Sequence, residues 1–238
     1  MNSSNPTYTY LAPGKYSVKD AAAILNVSTT RVIQLIYSGE LNAQRTVNDA
    51  YLIDAKTLQE YKQIRAGNGR PWKAETAWAA LWILSGVEAD WLGYHQARRL
   101  NIRLKSITAK ELVWLTRKRA NTQVLRASSS FIEAIKNDLV LSGRSSVLLT
   151  DMGLTERNDN IEGYLDANEY PKIIERYHLV DDAEGNMVIR KTQDPPFNLS
   201  NMTQMPSAVV LVDLAASTDT REQSIAFEKL EELLQAKR

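Results

Sequence analysis

Two short helices, each with its own cap and only a few residues between them, constrain this chain more than any other feature of its sequence. Ser17 is a good N-cap, and Asp20 lies in the first turn, where a carboxylate suits the positive end of the helix dipole. Ala21, Ile24 and Leu25 form one apolar stripe at helical spacing. Asn26 tolerates the left-handed conformation that ends a helix. Val27 fills the turn from inside, and Ser28 caps a second helix whose Val32, Leu35 and Ile36 face the first. Two such helices joined by about four residues predict a helix-turn-helix. Ser38-Gly39 closes the second helix. Leu41–Gln44 and Ala50–Ile53 then read as a hairpin with Asn48-Asp49 near its turn, and Asp54 caps a last helix through Leu58 and Tyr61.

The stretch VSTTRVIQLIYSGELNAQRTVNDAYLIDAKTLQEY resembles the excisionase and MerR-type winged helix-turn-helix. Val27, Ser28, Val32, Leu35, Ile36, Gly39, Leu41, Tyr51, Ile53, Asp54 and Tyr61 carry the resemblance. It implies a domain over residues 16–66, behind a loose arm at 1–15, that binds double-stranded DNA. The second helix then presents Thr29, Thr30, Ile33, Gln34 and Tyr37 outward, with Ser28 and Arg31 toward its N-terminal end. Hydroxyls and N–H groups there suit phosphate oxygens. Gln34 suits the N6/N7 edge of adenine, and a threonine methyl suits that of thymine. On the hairpin, Gln44, Arg45 and Thr46 are the candidate contacts; Arg45 is its one cation, where the family's tip is usually rich in arginine.

Charge is unevenly spread. Residues 1–126 hold 18 Lys and Arg against 9 Asp and Glu, whereas residues 127–238 hold 11 against 19. A basic front suggests an anionic partner. Its densest part, the stretch from Arg98 to Arg126 with the Arg117-Lys118-Arg119 cluster within it, reads as a second surface for the DNA backbone. Ser106 or Thr108 caps a helix there that turns Leu112, Val113 and Leu115 inward.

The linker Ala66–Pro71 separates the first domain from a region over 72–238, predicted to be helical and then α/β and to serve dimerisation or partner binding. Trp78 and Trp82, at i,i+4, read as core. A helix and short strand follow Phe131. Ile161–Thr192 reads as strand, helix and a hairpin turning at Glu184-Gly185-Asn186. Thr192–Pro206 reads as an extended surface loop, and Ala208–Leu214 as a strand buried on both faces. The last helix begins at Thr220, with Gln223 placed for a capping box. The fold class expected is α+β: an N-terminal winged helix-turn-helix followed by a mixed α/β domain.

No chemistry-bearing signature appears. There are no cysteines and only two histidines, His95 and His178, so neither a disulfide framework nor a metal site is expected. Phosphate-cradle, dinucleotide, zinc-protease and nucleophile-elbow motifs are absent; LSGRSSV lacks the final glycine of the last. Asp213, Asp219 and Arg221 sit where α/β enzymes keep catalytic groups, yet aspartates at helix starts are commonly caps. We expect no enzyme, no cofactor, no membrane segment and a cytoplasmic location.

As a whole the chain resembles AbiEi-like antitoxins, the DNA-binding halves of type IV toxin–antitoxin pairs. The segments that carry this are Arg126–Gly143, Ile161–Arg190 and Val209–Ala215 with Asp219-Thr220-Arg221 after it. The resemblance implies a regulator that represses its own operon and neutralises a nucleotidyltransferase-type toxin, with a homodimer possible. The alternatives are a protein-interaction module with little DNA binding and an excisionase-like architectural binder.

Overall fold

The computed structural model describes residues 14–37, 40–46, 50–64, 70–154 and 160–238. The chain divides into two compact units, Met1–Arg65 and Ala66–Arg238. The expected turn residues Ser38-Gly39 and Asn48-Asp49, most of the arm and most of the linker lie outside the described residues.

In the first unit, helix α1 (Val18–Leu25) begins at Ser17, whose hydroxyl accepts from the Asp20 N–H at 3.1 Å. It ends at Asn26, held left-handed at φ 51°. Helix α2 (Thr29–Tyr37) follows, with the Arg31 N–H donating to the Ser28 hydroxyl at 3.1 Å. Ala21, Leu25, Val32 and Leu35 are buried between the two helices. Each fully buried Val or Leu contributes about 1.5–3 kcal/mol, so this small apolar seam fixes the angle of α2. Strands β1 (Lys15–Ser17), β2 (Ala43–Arg45) and β3 (Tyr51–Asp54) form an antiparallel sheet in the order β1-β3-β2. Strand β1 was not expected; Lys15 belongs to the sheet rather than to a loose arm, pairing in register with Asp54. Asp54 also accepts from the Thr57 N–H at 3.2 Å, capping α3 (Ala55–Ile64) as its sequence predicts.

The second unit places a five-stranded sheet between helices. Its elements are α4 (Ala74–Leu84), α5 (Tyr94–Leu104), α6 (Ala109–Thr116), β4 (Asn121–Arg126), α7 (Ile132–Asn137), β5 (Val140–Leu141), β6 (Ile161–Asp166), α8 (Tyr170–Tyr177), β7 (Val180–Asp181), β8 (Met187–Thr192), α9 (Ser207–Leu214) and α10 (Thr220–Gln235). The strand order is β5-β6-β8-β4-β7, with β6 and β8 parallel and every other pair antiparallel. Period-two alternation gives the sheet two faces. Ile161, Leu165, Met187 and Ile189 pack with Ile132, Ile135, Ile173 and Tyr177 of α7 and α8. Glu162, Tyr164 and Arg190 take the alternate positions; Tyr164 and Arg190 meet Asp213 of α9, and Glu162 pairs with Arg190.

Several expectations fail here for definite reasons. Ala208–Leu214 is helix, not strand: the apolar run is wrapped on all sides, and a fully buried helix is as continuously apolar as a buried strand. Glu184-Gly185-Asn186 does not join a hairpin, because β7 and β8 lie on either side of β4. Gly185 passes so close to β4 that a Cβ there would collide with the Leu125 carbonyl. Strand β4 itself was missed, its NTQVLR pattern being masked by the neighbouring cations. Asp219, not a Gln223 box, caps α10: its carboxylate accepts from the Arg221 and Glu222 N–H groups, while Gln223 donates to the Ser217 carbonyl. The proline-rich loop is only partly superficial, since Leu199 and Met205 are buried and Phe197 stacks on Trp82 at 4.1 Å. Trp78 and Trp82 are core, as expected. Thr108, rather than Ser106, caps α6, in a reciprocal box with Glu111.

Candidate nucleic-acid interface

Helix α2 is anchored by one face and free on the other. Val32 and Leu35 are inaccessible to water, which leaves Thr29, Thr30, Gln34 and Tyr37 exposed and Arg31 and Ile33 half-buried. Ser28 sits exposed at the N-terminus, its hydroxyl engaged by the Arg31 N–H. Arg31 also donates through Nη1 to Gln34 Oε1 at 3.2 Å, one turn along. The guanidinium thus orients the amide group, and the two side chains are joined on the outer side of the helix. Such a pair can divide the labour, Arg31 reaching a phosphate and Gln34 a base edge.

At the other end of α2, Tyr37 is 76% exposed. Its hydroxyl lies 3.4 Å from that of Tyr51, and the two rings meet edge to face with centroids 6.2 Å apart. Tyr51 is on β3, in register with Arg45 of β2. Tyr51 therefore links the exposed helix to the wing, a role the sequence reading did not give it. The signal was available: alternation along Tyr51–Asp54 buries Ile53 and leaves Tyr51 only half covered. Gln44 and Arg45 are exposed on β2. Thr46 closes the hairpin instead of pointing freely outward: its N–H donates to the Ala50 carbonyl at 2.8 Å, and its hydroxyl accepts from the Ala50 N–H at 3.1 Å.

The Arg117-Lys118-Arg119 cluster, in the second unit, does not form one surface. Lys118 is exposed. Arg117 lies over the Trp114 ring, 3.3 Å from its centroid, and donates to the Trp114 carbonyl at 2.8 Å. Arg119 corrects the expectation outright, because it is buried and its donors are spent inside the fold. It bonds to the Tyr164 hydroxyl at 3.0 Å, to the Thr116 carbonyl at 3.2 Å and to the Asp213 carboxylate.

That inward turn belongs to a charge network built around Asp213. Its carboxylate also accepts from the Ser142 hydroxyl and from the Tyr164 hydroxyl at 2.9 Å, and it forms an ion pair with Arg190, whose Nε lies 2.9 Å away. Arg190 Nη1 lies 2.5 Å from Glu162 Oε1. Burial alone pulls the Arg190 guanidinium down, but Asp213 and Glu162 beside it more than offset this and hold it charged. Burial pushes the Tyr164 phenol well above its ordinary value, so it stays a neutral donor. Two arginines and two carboxylates thus balance within the interior. Asp213, which sequence position made a catalytic candidate, is 1% exposed and fully engaged in that balance. Among the described residues, no group of three or more acidic or histidine side chains is placed to hold a metal ion, and no helix is long and apolar enough to cross a membrane.

Comparison with known proteins agrees with the geometry of the first unit. A family model described as a helix-turn-helix domain matches residues 16–65, about a fifth of the chain. No curated protein and no solved structure matches the chain.

Proposed function

We propose, from the premise that residues 16–65 form a DNA-binding helix-turn-helix domain, that this chain is a sequence-specific transcriptional regulator whose α2 enters the major groove. The observation that carries this reading is the exposed Thr30–Gln34 face of a helix held by its own cap and by two buried residues. Arg31 and Gln34 supply backbone and base contacts, and Tyr37, Gln44 and Arg45 flank them. Mobility shift on the region upstream of its own gene tests it, using Thr30→Ala, Gln34→Ala and Arg45→Ala variants. Loss of the shift for the α2 variants on that fragment, with binding to random-sequence DNA retained, is the expected result. An unchanged shift in all three overturns the docking.

The finer reading is that the regulator is the antitoxin of a type IV pair and represses its own operon. The resemblance of Arg126–Gly143 and Ile161–Arg190 to such proteins supports it, as does a second unit far larger than a DNA reader needs. Co-expression with the product of the neighbouring gene tests this. Rescue of growth from a nucleotidyltransferase encoded there is expected, and a neighbour of unrelated chemistry sinks the antitoxin role without touching DNA binding.

A further inference from the structure

We infer that the exposed face of α5 in the second unit is a separate binding surface for the phosphate backbone of duplex DNA. Helix α5 turns Leu100 and Leu104 into the core and leaves Arg98, Arg99, Arg103 and the C-terminal Lys105 exposed. No acid among the described residues pairs with Arg98, Arg99 or Lys105, and Arg103 reaches only the Ser106 hydroxyl at 3.4 Å. Six other arginines of this unit behave differently, while Arg117 and Arg221 donate to backbone carbonyls. Arg119, Arg126, Arg144, Arg176, Arg190 and Arg238 each pair with a carboxylate. Residues 127–238 carry 19 acidic side chains, so acid is plentiful in the same unit and is not spent on α5.

The helix dipole explains part of this pattern. Arg103 and Lys105 stand at the negative C-terminal end and are favourable there. Arg98 and Arg99 stand in the middle of the helix, where the dipole offers nothing. Arg99 and Arg103 are moreover an i,i+4 pair of like charges, a spacing that costs a few tenths of a kcal/mol in an isolated helix. An external polyanion would relieve that repulsion. Tyr94, 75% exposed at the start of α5, adds a hydroxyl of the kind that contacts phosphate and sugar oxygens.

Duplex DNA is the occupant favoured by the rest of the chain. This choice rests on the DNA-binding reading of the first unit. A reader covalently attached to the second unit makes the second contact intramolecular, so even a weak backbone site adds affinity. Among the described residues of the wing, Arg45 is the one cation, so the wing supplies little counter-charge. The α5 face would supply affinity without sequence preference, while α2 supplies the preference.

The test uses the full chain with two 30-bp duplexes, one from upstream of its own gene and one of random sequence, titrated by anisotropy between roughly 50 and 200 mM salt. Replacing Arg98, Arg99 and Arg103 together by Gln is expected to weaken binding to both duplexes at least tenfold. It should also flatten the plot of log K against log salt by about two to three units, since each phosphate contact contributes about 0.9. The ratio of affinities for the two duplexes should stay the same. Replacing the three by Lys is expected to restore the slope, which a merely structural role for these arginines would not do. An unchanged slope in the Gln variant overturns the inference and leaves the face to an acidic protein surface. Failure of the first unit's reading looks different: Thr30→Ala with Gln34→Ala would then leave the affinity ratio of the two duplexes unaltered.

Discussion

The two units use polar side chains in opposite ways. In the first, the core is apolar, and Thr29, Thr30, Arg31 and Gln34 are carried on the outside of a helix held by Val32 and Leu35. In the second, Arg119, Arg190, Glu162 and Asp213 are taken out of water and held as ion pairs with one another. The difference teaches where a polar residue acts. An exposed polar group costs the fold almost nothing to change and is available to a partner. A buried one has its partners already, and removing any of them strands a charge.

The largest expected effect follows from that asymmetry. Asp213→Ala removes the shared acceptor of Arg119 and Arg190, and it should destabilise the second unit by about 3–5 kcal/mol. The tryptophans make this measurable: all five, at positions 72, 78, 82, 91 and 114, lie in the second unit. The fluorescence-detected urea midpoint should fall steeply; a shift equivalent to less than about 1 kcal/mol would mean that the network is solvated and the contrast false.

Gly143→Ala should come next. Gly143 holds φ +51°, and a Cβ there would collide with the Glu162 carboxylate, which also accepts from the Arg144 N–H at 2.8 Å. A cost of about 1–3 kcal/mol in the same fluorescence transition is expected. Ser28→Ala loses the cap of α2 and should cost about 1 kcal/mol in the first unit. Helical circular dichroism should register it while tryptophan fluorescence does not; a matching shift in both would show that the units unfold together. Gln34→Ala, the smallest, should change stability by less than about 0.5 kcal/mol while still removing preference for the upstream duplex. A larger loss would mean that the Arg31–Gln34 bond supports the helix, and that its exposure was misread.

The same contrast explains which parts of the molecule were legible in the sequence. Caps are local, so Ser17, Asn26, Ser28 and Asp54 could be read one turn at a time, and the helix-turn-helix with them. The destination of a cation is not local. Arg98 and Arg119 look alike in the sequence, and what separates them is Asp213, over ninety residues downstream of Arg119. Strand β4 was hidden for a related reason: its partners β8 and β7 lie more than fifty residues away, and nothing beside it announces them. Ala208–Leu214 failed on periodicity, which cannot separate a buried strand from a buried helix when every position but Asp213 is apolar.

The position of Asp213 near the far end of the chain also sets an order of events during synthesis. Among the described residues, the sheet of the reader unit pairs strands no further apart than Lys15 and Asp54, so it can close early in synthesis. The second unit cannot. Strand β4 waits for residues 187–192 to become its neighbour, and Arg119 and Arg190 hold no common counter-ion until residue 213 has emerged. A nascent chain halted before α9 is therefore expected to carry a protease-resistant reader ahead of a protease-sensitive remainder. Premature termination there would release a fragment able to occupy DNA with its first unit while lacking a finished second one.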